Sequence, residues 1–372
     1  MSSTLPERVY YDVLVSNLTN KESRPPRATF SQTRSTPYLL RPDQYFMSIV
    51  RWTLDTTTLP IFRPTIKPDS ADPNKTIYSI TLQHGGVKVK TFMTFIPQDK
   101  SADVAVSPAA RGGLQDNSTG YYDVYSYSHV IFLLNNTLKE AFASLQALTA
   151  LPTDSCPFMS YDVTTKIAVM NCDTAGFGQE AEGGPIEIFF NTALGGMFNS
   201  FPYEISKDYG DGRNFKLQVD VLGDSTVFPA VLNGADVNLI QVFQEYSTVA
   251  SWNPVMALAV MSNTLGIVQN IESKPTIFLN GNIVSGSGNN SVSSNLITDF
   301  VADDYRPNII YVPSAEYRRI ELVGSEPLSN LDLSIYWKTR EGEFVPFLLP
   351  SGGSCSIKIM FEKKLSNSPK QI

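Results

Sequence analysis

The chain has 372 residues, room for about two domains, and 42% of them are hydrophobic, enough to bury a sizeable core. Only 17% are charged, 36 acidic residues against 29 basic give a net charge of −7, and 21 Phe, 17 Tyr and 3 Trp make the chain rich in aromatics. This balance excludes a disordered chain, and the absence of any Lys/Arg run excludes a phosphate-neutralising basic arm.

From the first residues onward the chain alternates apolar and polar positions with period two, the mark of half-buried strands. Strands are predicted at 8–16, 45–54, 76–82 and 87–95; in the last, Val87, Val89, Thr91, Met93 and Phe95 share a face opposite Lys88 and Lys90. His84-Gly85-Gly86 turns the chain between the third and fourth of these. A further strand is predicted at 121–134. Thr137-Leu138-Lys139-Glu140 then has the form of a capping box, with Leu138, Phe142, Leu145 and Leu148 as the apolar face of a short helix. Strands follow at 158–171 and 185–190. A second short helix is expected where Asn191 precedes Leu194, Phe198 and Phe201, ending at Pro202, although Gly195 and Gly196 weaken it by about 1 kcal/mol each. Strands are predicted again at 215–221, 239–246, 255–262, 276–280, 308–312 and 317–323. The last three, 331–338, 344–349 and 356–362, are joined by Glu341-Gly342-Glu343 and Ser351-Gly352-Gly353 and read as an antiparallel meander.

About sixteen strands and two short helices give an all-β chain, a jelly-roll β-sandwich. The strand count favours two jelly rolls in tandem; the alternative is one jelly roll with large insertions. A break at 205–214 suggests a sandwich over 43–205 and another over 206–372. Residues 1–42, with many Arg and Pro after the strand at 8–16, read as an extended arm. The stretches 97–120 and 281–294 are long, unpatterned loops.

A search for chemistry returns little. Only His84 and His129 are present, and both read as surface imidazoles. Cys156, Cys172 and Cys355 lack metal-ligand spacing and suit free thiols in a reducing compartment. Gly286-Ser287-Gly288 lacks the Lys and the strand–turn–helix setting of a phosphate loop. Asp303-Asp304 on a strand would face opposite ways, and neither they nor Glu180, Glu182 and Glu187 read as a glycosidase pair. Asp208 and Asp211 read as a turn, not a Ca²⁺ loop. No catalytic, cofactor or metal residue is therefore assigned. No stretch reaches ~18 consecutive apolar residues, so no membrane span is expected, and MSSTLPERVYYDV lacks the charged-then-apolar form of a secretory leader.

Aromatics bracketing the strands remain. Trp52, Phe62, Trp252, Tyr305 and Arg306 are the candidate interface residues, since a sandwich does not easily bury so many rings and exposed apolar patches mark contacts between proteins. Few charges, many strands and surplus aromatics read as a self-assembling structural subunit. The alternative is a β-sandwich carbohydrate-binding or attachment module.

Several phrases carry a resemblance. They are Tyr45-Phe46-Met47-Ser48-Ile49-Val50-Arg51-Trp52 with Thr57-Thr58-Leu59-Pro60-Ile61-Phe62, then Phe189-Phe190-Asn191 through Phe201-Pro202, then Trp252-Asn253-Pro254-Val255 and Ser262-Asn263-Thr264-Leu265. In the tail, Tyr311-Val312-Pro313, Asn330-Leu331-Asp332-Leu333-Ser334-Ile335-Tyr336-Trp337-Lys338 and Ser356-Ile357-Lys358-Ile359-Met360-Phe361-Glu362 complete it. Together they cover about two-thirds of the chain, and it resembles jelly-roll capsid proteins of small eukaryotic DNA viruses of the polinton-like and virophage type. The resemblance implies a structural subunit of an icosahedral shell, made in the host cytoplasm or nucleus and placed in the virion. Its partners would be further copies of itself, as a trimer or pentamer, and other capsid proteins. It leaves open a major protein (a trimeric double jelly roll) or a penton-type minor one. Arg24, Arg27, Arg34 and Arg41 and the tail residues Lys363, Lys364 and Lys370 are scattered, so contact with nucleic acid is at most secondary.

Overall fold

The computed structural model describes residues 6–17, 27–68, 70–98, 115, 120–206, 212–220, 223, 225–232, 234–267, 277–279, 282–285, 295–301, 308–312, 318–340 and 342–364. Two compact units share the chain. One unites Met1–Leu59 with Pro254–Ile372; the other, Pro60–Gln115 with Gly120–Asn253, is inserted between its halves. The units are nested rather than consecutive, so the expected border at 205/206 falls inside the inserted unit.

The first unit opens with β1 (Arg8–Ser16), β2 (Thr29–Thr33), a 3-10 turn (Pro42–Gln44) and β3 (Tyr45–Asp55). The inserted unit holds β4 (Lys75–His84), β5 (Val87–Thr94), α1 (Tyr127–Gln146), β6 (Phe158–Asp162), β7 (Ile167–Asp173), α2 (Thr174–Phe177) and β8 (Glu187–Phe190). It continues with α3 (Thr192–Met197), β9 (Tyr203–Ile205), β10 (Phe215–Leu217), β11 (Val227–Leu232), β12 (Ala235–Phe243) and α4 (Val249–Trp252). The first unit resumes with β13 (Val255–Ser262), β14 (Ile277–Leu279), β15 (Asn282–Ser285), β16 (Asn295–Val301), β17 (Asn308–Tyr311), β18 (Ile320–Glu321), β19 (Asn330–Thr339), β20 (Phe344–Pro346) and β21 (Ser354–Lys363).

The first unit is the jelly roll. One sheet runs β1-β21-β3-β17 with β18 on β3, and the other runs β15-β14-β20-β19-β13-β16 with β2 on β19. Period-two alternation decides which side chains meet between them. Leu331, Leu333, Ile335 and Trp337 of β19 point inward from one sheet, and Cys355, Ile357, Ile359 and Phe361 of β21 from the other, all in one core. Each such large apolar side chain contributes about 1.5–3 kcal/mol on burial. The last three strands are therefore not a meander. β19 and β20 do pair, but β21 crosses to the opposite sheet, between β1 and β3. Its inward residues need a facing sheet rather than a neighbour in their own. The strand at 8–16 is likewise no free arm, for β1 pairs with β21 over nine residues. Tyr11 packs edge-on against Tyr38 at 5.0 Å and Phe361 at 6.0 Å.

The inserted unit also has two sheets, β5-β4-β8-β10-β9 and β11-β12-β7-β6. Helix α1 corrects two expectations. It starts at Tyr127, so the strand predicted at 121–134 is in large part helical, and Thr137 lies mid-helix, donating to Leu133 O at 2.9 Å instead of capping. Val130, Ile131, Leu133 and Leu134 lead into Leu138, Ala141, Phe142 and Leu145 as one buried stripe; short apolar runs of this kind do not separate helix from strand by themselves. α3 forms after Asn191 as expected, with Asn191 Oδ1 accepting from Leu194 N at 3.1 Å, but it ends at Met197, short of the expected Phe201. The stretch 158–171 divides into β6 and β7, which pair as a hairpin. Asp162 sets the turn by accepting from Thr164 N at 2.9 Å. Where two short helices are expected, four form among the described residues.

Candidate assembly surface

Three of the five candidate interface residues are internal. Trp52 is 1% exposed, Phe62 2% and Trp252 3%. Trp52 Nε1 faces Cys355 Sγ at 3.3 Å, and its ring meets Phe300 edge-on at 4.4 Å. Phe62 lies 5.7 Å from Tyr78. Trp252 Nε1 donates to Met197 O at 2.7 Å beside Phe198. These rings are core anchors, because each unit has an interior of its own and together they hold more aromatics than one sandwich would. Tyr305 and Arg306 lie outside the described residues, as do Asp208, Asp211, Gly286-Ser287-Gly288 and Asp303-Asp304.

The remaining polar candidates do not converge. His84 is buried on β4 rather than at the surface, and His129 sits on α1 with Nε2 2.8 Å from Ile96 O. Among the described residues no three His, Cys, Asp or Glu side chains are grouped as metal ligands. Glu187 pairs with Lys216 at 2.6 Å, while Glu180 and Glu182 are exposed on the preceding turn. The three cysteines are free thiols. Burial pushes Cys156 and Cys355 up to about 12, and Cys172 higher still, so none is a ready nucleophile.

What the surface offers is contact area. On the outward side of the jelly roll's five-stranded sheet, Tyr10 and Leu14 of β1 and Ile310 of β17 are exposed. Charges between them neutralise one another. Arg8 and Arg319 both reach Glu362, at 2.7 and 2.6 Å, and Arg51 reaches Asp12 at 3.2 Å. Such exposed pairs contribute at most ~1 kcal/mol each, so they set register and sign more than stability.

The inserted unit exposes a hairpin whose first strand, β11, has no counterpart among the expected strands, while β12 overlaps the expected 239–246. Among the described residues β11 is an edge strand, paired with β12 alone. Val227, Phe228 and Val231 are 43%, 39% and 67% exposed, and no charge lies on β11. A groove beside them is lined by Pro229, Ala230, Val231, Asp236, Val237 and Asn238. The sequence does carry the signal, since Asn233-Gly234 stands between two apolar runs. Gly234 has φ +85°, a conformation glycine adopts without a Cβ penalty.

Comparison with known proteins places this scaffold. The family described as the Sputnik minor capsid protein V18/19 matches residues 9–363. The Structural protein V19 of Sputnik virophage is 32% identical over 190 residues, covering 48% of this chain and 82% of that protein. The protein named "Uncharacterized protein V18" of the same virophage is 32% identical over 145 residues, covering 38% and 86%. Among solved structures, a chain of the Sputnik virophage determined by cryo-EM superposes with a TM-score of 0.78 at 27% identity. It covers 97% of this chain and 99% of that one. The mavirus penton protein superposes with a TM-score of 0.61 at 15% identity, covering 96% and 100%, a likeness of fold.

Proposed function

The chain belongs to the family of the Sputnik minor capsid protein V18/19 and is a structural subunit of the virion capsid, and from that premise we propose that it is the penton-type minor subunit, working as a pentamer. The observation that carries this is the nesting of the two units. β1–β3 and β13–β21 build one jelly roll, and everything between them is an insertion. A trimeric major subunit would instead carry two sandwiches in succession. The likeness in fold to the mavirus penton protein supports the same reading.

In this role the rigid two-sheet core fixes the geometry, and the loops and flanks meet neighbouring copies and other capsid proteins around a symmetry axis. Chemistry is no part of the reading, since the relatives are structural proteins. Light scattering on the purified chain over a range of concentrations tests it, with negative-stain imaging alongside. Five times the chain mass of 41.1 kDa and five-fold rosettes are expected. A stable trimer would overturn the penton assignment, and a monomer at every concentration would overturn self-assembly.

A further inference from the structure

The inserted unit holds 12 basic residues against 19 acidic, yet several of the basic ones gather on one face of the sheet β5-β4-β8-β10-β9. Register and period two define that face. Ile80, Phe190 and Phe215 lie on the inner face, where Phe190 meets Phe198 at 6.4 Å and Gly195 of α3 packs on Phe215. On the reverse face one row across the strands reads Lys90, Thr81, Phe189, Lys216 and Glu204. The next row begins with Phe92 and Ser79. Asn191 N donates to Ser79 O and Ser206 N to Asn214 O, which carries that row on to Asn191 and Asn214.

Long cations arch over these rows. Lys90 and Lys67 both lie over the ring of Phe92, at 5.0 and 5.6 Å. Arg213 lies over Phe189 at 5.8 Å and donates to Gln83 Oε1 at 2.9 Å. Lys90 also reaches the turn before β10, since a Cβ on Gly212 would stand 2.7 Å from its Nζ. Gathered like charges repel. The acids of the face sit at its far end, where Glu187 takes Lys216 at 2.6 Å and Glu204 stands opposite Lys216. Among the described residues neither Lys67 nor Lys90 forms an ion pair. Beneath the cations lie donors without acceptors. Ser79, Thr81 and Asn214 are 0%, 1% and 2% exposed, and Ser79 Oγ, Thr81 Oγ1 and Asn214 Nδ2 have no hydrogen-bond partner among the described residues. Buried polar groups are seldom left so.

We propose that this face binds a tetrahedral oxyanion, a phosphate or sulfate group, between the cations Lys67 and Lys90 and the hydroxyls of Ser79 and Thr81. Every one of these groups can donate, and an oxyanion presents acceptors in all directions. Ser79 and Thr81 stand two residues apart on β4, a gap of about 6.6 Å that one such ion bridges. Asn214, two strands away at about 10 Å, is left for the carrier of an esterified group. The short donors rise from a paired sheet, so their positions are set before the anion arrives. A nucleobase finds no platform here, because the rings of Phe92 and Phe189 are already covered by cations. The site serves binding alone and is independent of how many copies assemble.

Isothermal titration calorimetry of the full chain with sodium sulfate and sodium phosphate, against sodium chloride at the same ionic strength, tests this. Saturable binding of one oxyanion per chain is expected. Lys90→Ala and Thr81→Val are each expected to weaken it about tenfold. Lys338→Ala, which removes a cation lying over Phe344 at 5.6 Å in the jelly-roll unit, is expected to bind like the parent. Thermal melts in chloride separate binding from folding. Thr81→Val should melt no lower than the parent there, because it removes a buried hydroxyl that has no partner, and should lose the rise in melting temperature that sulfate gives the parent. Glucose 6-sulfate binding more than tenfold tighter than free sulfate would support the site with a glycan as the source, and equal binding would support it with the free ion as the source. The proposal is overturned if neither ion binds beyond chloride, if Thr81→Val binds like the parent, or if Lys338→Ala loses as much as Lys90→Ala. Binding that appears only after Asp211→Asn would make that carboxylate the occupant, and a DNA oligonucleotide that binds where neither ion does would assign the face to nucleic acid; either result also overturns it.

Discussion

Replacing Asp332 with Ala removes the acceptor that ties the end of β13 to β19. Asp332 is 8% exposed. Its Oδ1 accepts from Ser262 Oγ at 2.6 Å and from Thr264 N at 3.0 Å, and also from Thr264 Oγ1; its Oδ2 accepts from Asn263 N at 2.8 Å. Hydrogen bonds to a charged group contribute ~1.5–3 kcal/mol each, and a buried donor left unmatched costs ~1–3 kcal/mol. Part of this loss is recovered, because Ser262 Oγ also accepts from Thr264 N at 3.2 Å and Leu265 N at 3.0 Å and can hold a reduced turn. The expected net loss is about 3 kcal/mol, with Asp332→Asn losing about half as much. Burial acts to raise the carboxyl's pKa, but the donors from Ser262, Thr264 and the two amides outweigh it and hold the pKa below its ordinary 3.8. Its contribution is therefore complete above pH 3.8 and is lost as pH falls through the lower folded value. Hydrogen exchange of the 262–265 segment reads the effect locally, and about 3 kcal/mol corresponds to roughly a hundredfold faster exchange. A change of less than fivefold at pH 7, or an equal change at pH 7 and well below pH 3.8, would refute the reasoning.

Gly195→Ala would place its Cβ 2.3 Å from Phe215 Cδ2, whereas Gly196→Ala meets nothing within 4 Å. Thermal melts should show a loss of about 1–3 kcal/mol for the first and no loss, or a gain of up to ~1 kcal/mol, for the second. Arg63→Met takes the buried guanidinium from the carboxylate of Asp123, to which it donates through Nε at 2.6 Å with both side chains 7% exposed, while the Tyr125 hydroxyl still donates to Oδ2 at 3.4 Å. A loss of ~3–5 kcal/mol is expected at pH 7. Burial already raises the Asp123 pKa more than Arg63 lowers it, so protonation should shrink the deficit toward pH 5, as melting temperature against pH will show. A thiol reagent at pH 8 should label the native chain slowly and reach all three cysteines once it is denatured.

Much of the strand layout was legible. The bounds of β1 and β13 match the expected 8–16 and 255–262, and Asn191 is legible from its position before an apolar stripe. Those are short-range properties, because period and capping are set within a few residues. The start of α1 was not legible, since Val130-Ile131 and Leu133-Leu134 fit either periodicity until the surface they cover is known. β11 was missed for the opposite reason, as its apolar residues are exposed on both sides and give no alternation.

The candidate surface was less legible than the fold. Trp52, Phe62 and Trp252 stand out in the sequence as surplus aromatics, because composition counts rings without saying which of them the packed sheets enclose. By itself the sequence determined that the chain is a β-sandwich protein with alternating strands, one capped short helix and a family likeness to jelly-roll capsid proteins. Tertiary structure alone decided that β21 leaves β20 for β1 and β3, that one unit interrupts the other, and which rings are core. Strand partners lie hundreds of residues apart, as Trp52 and Cys355 do. Their choice is made by shared burial, which no local pattern encodes.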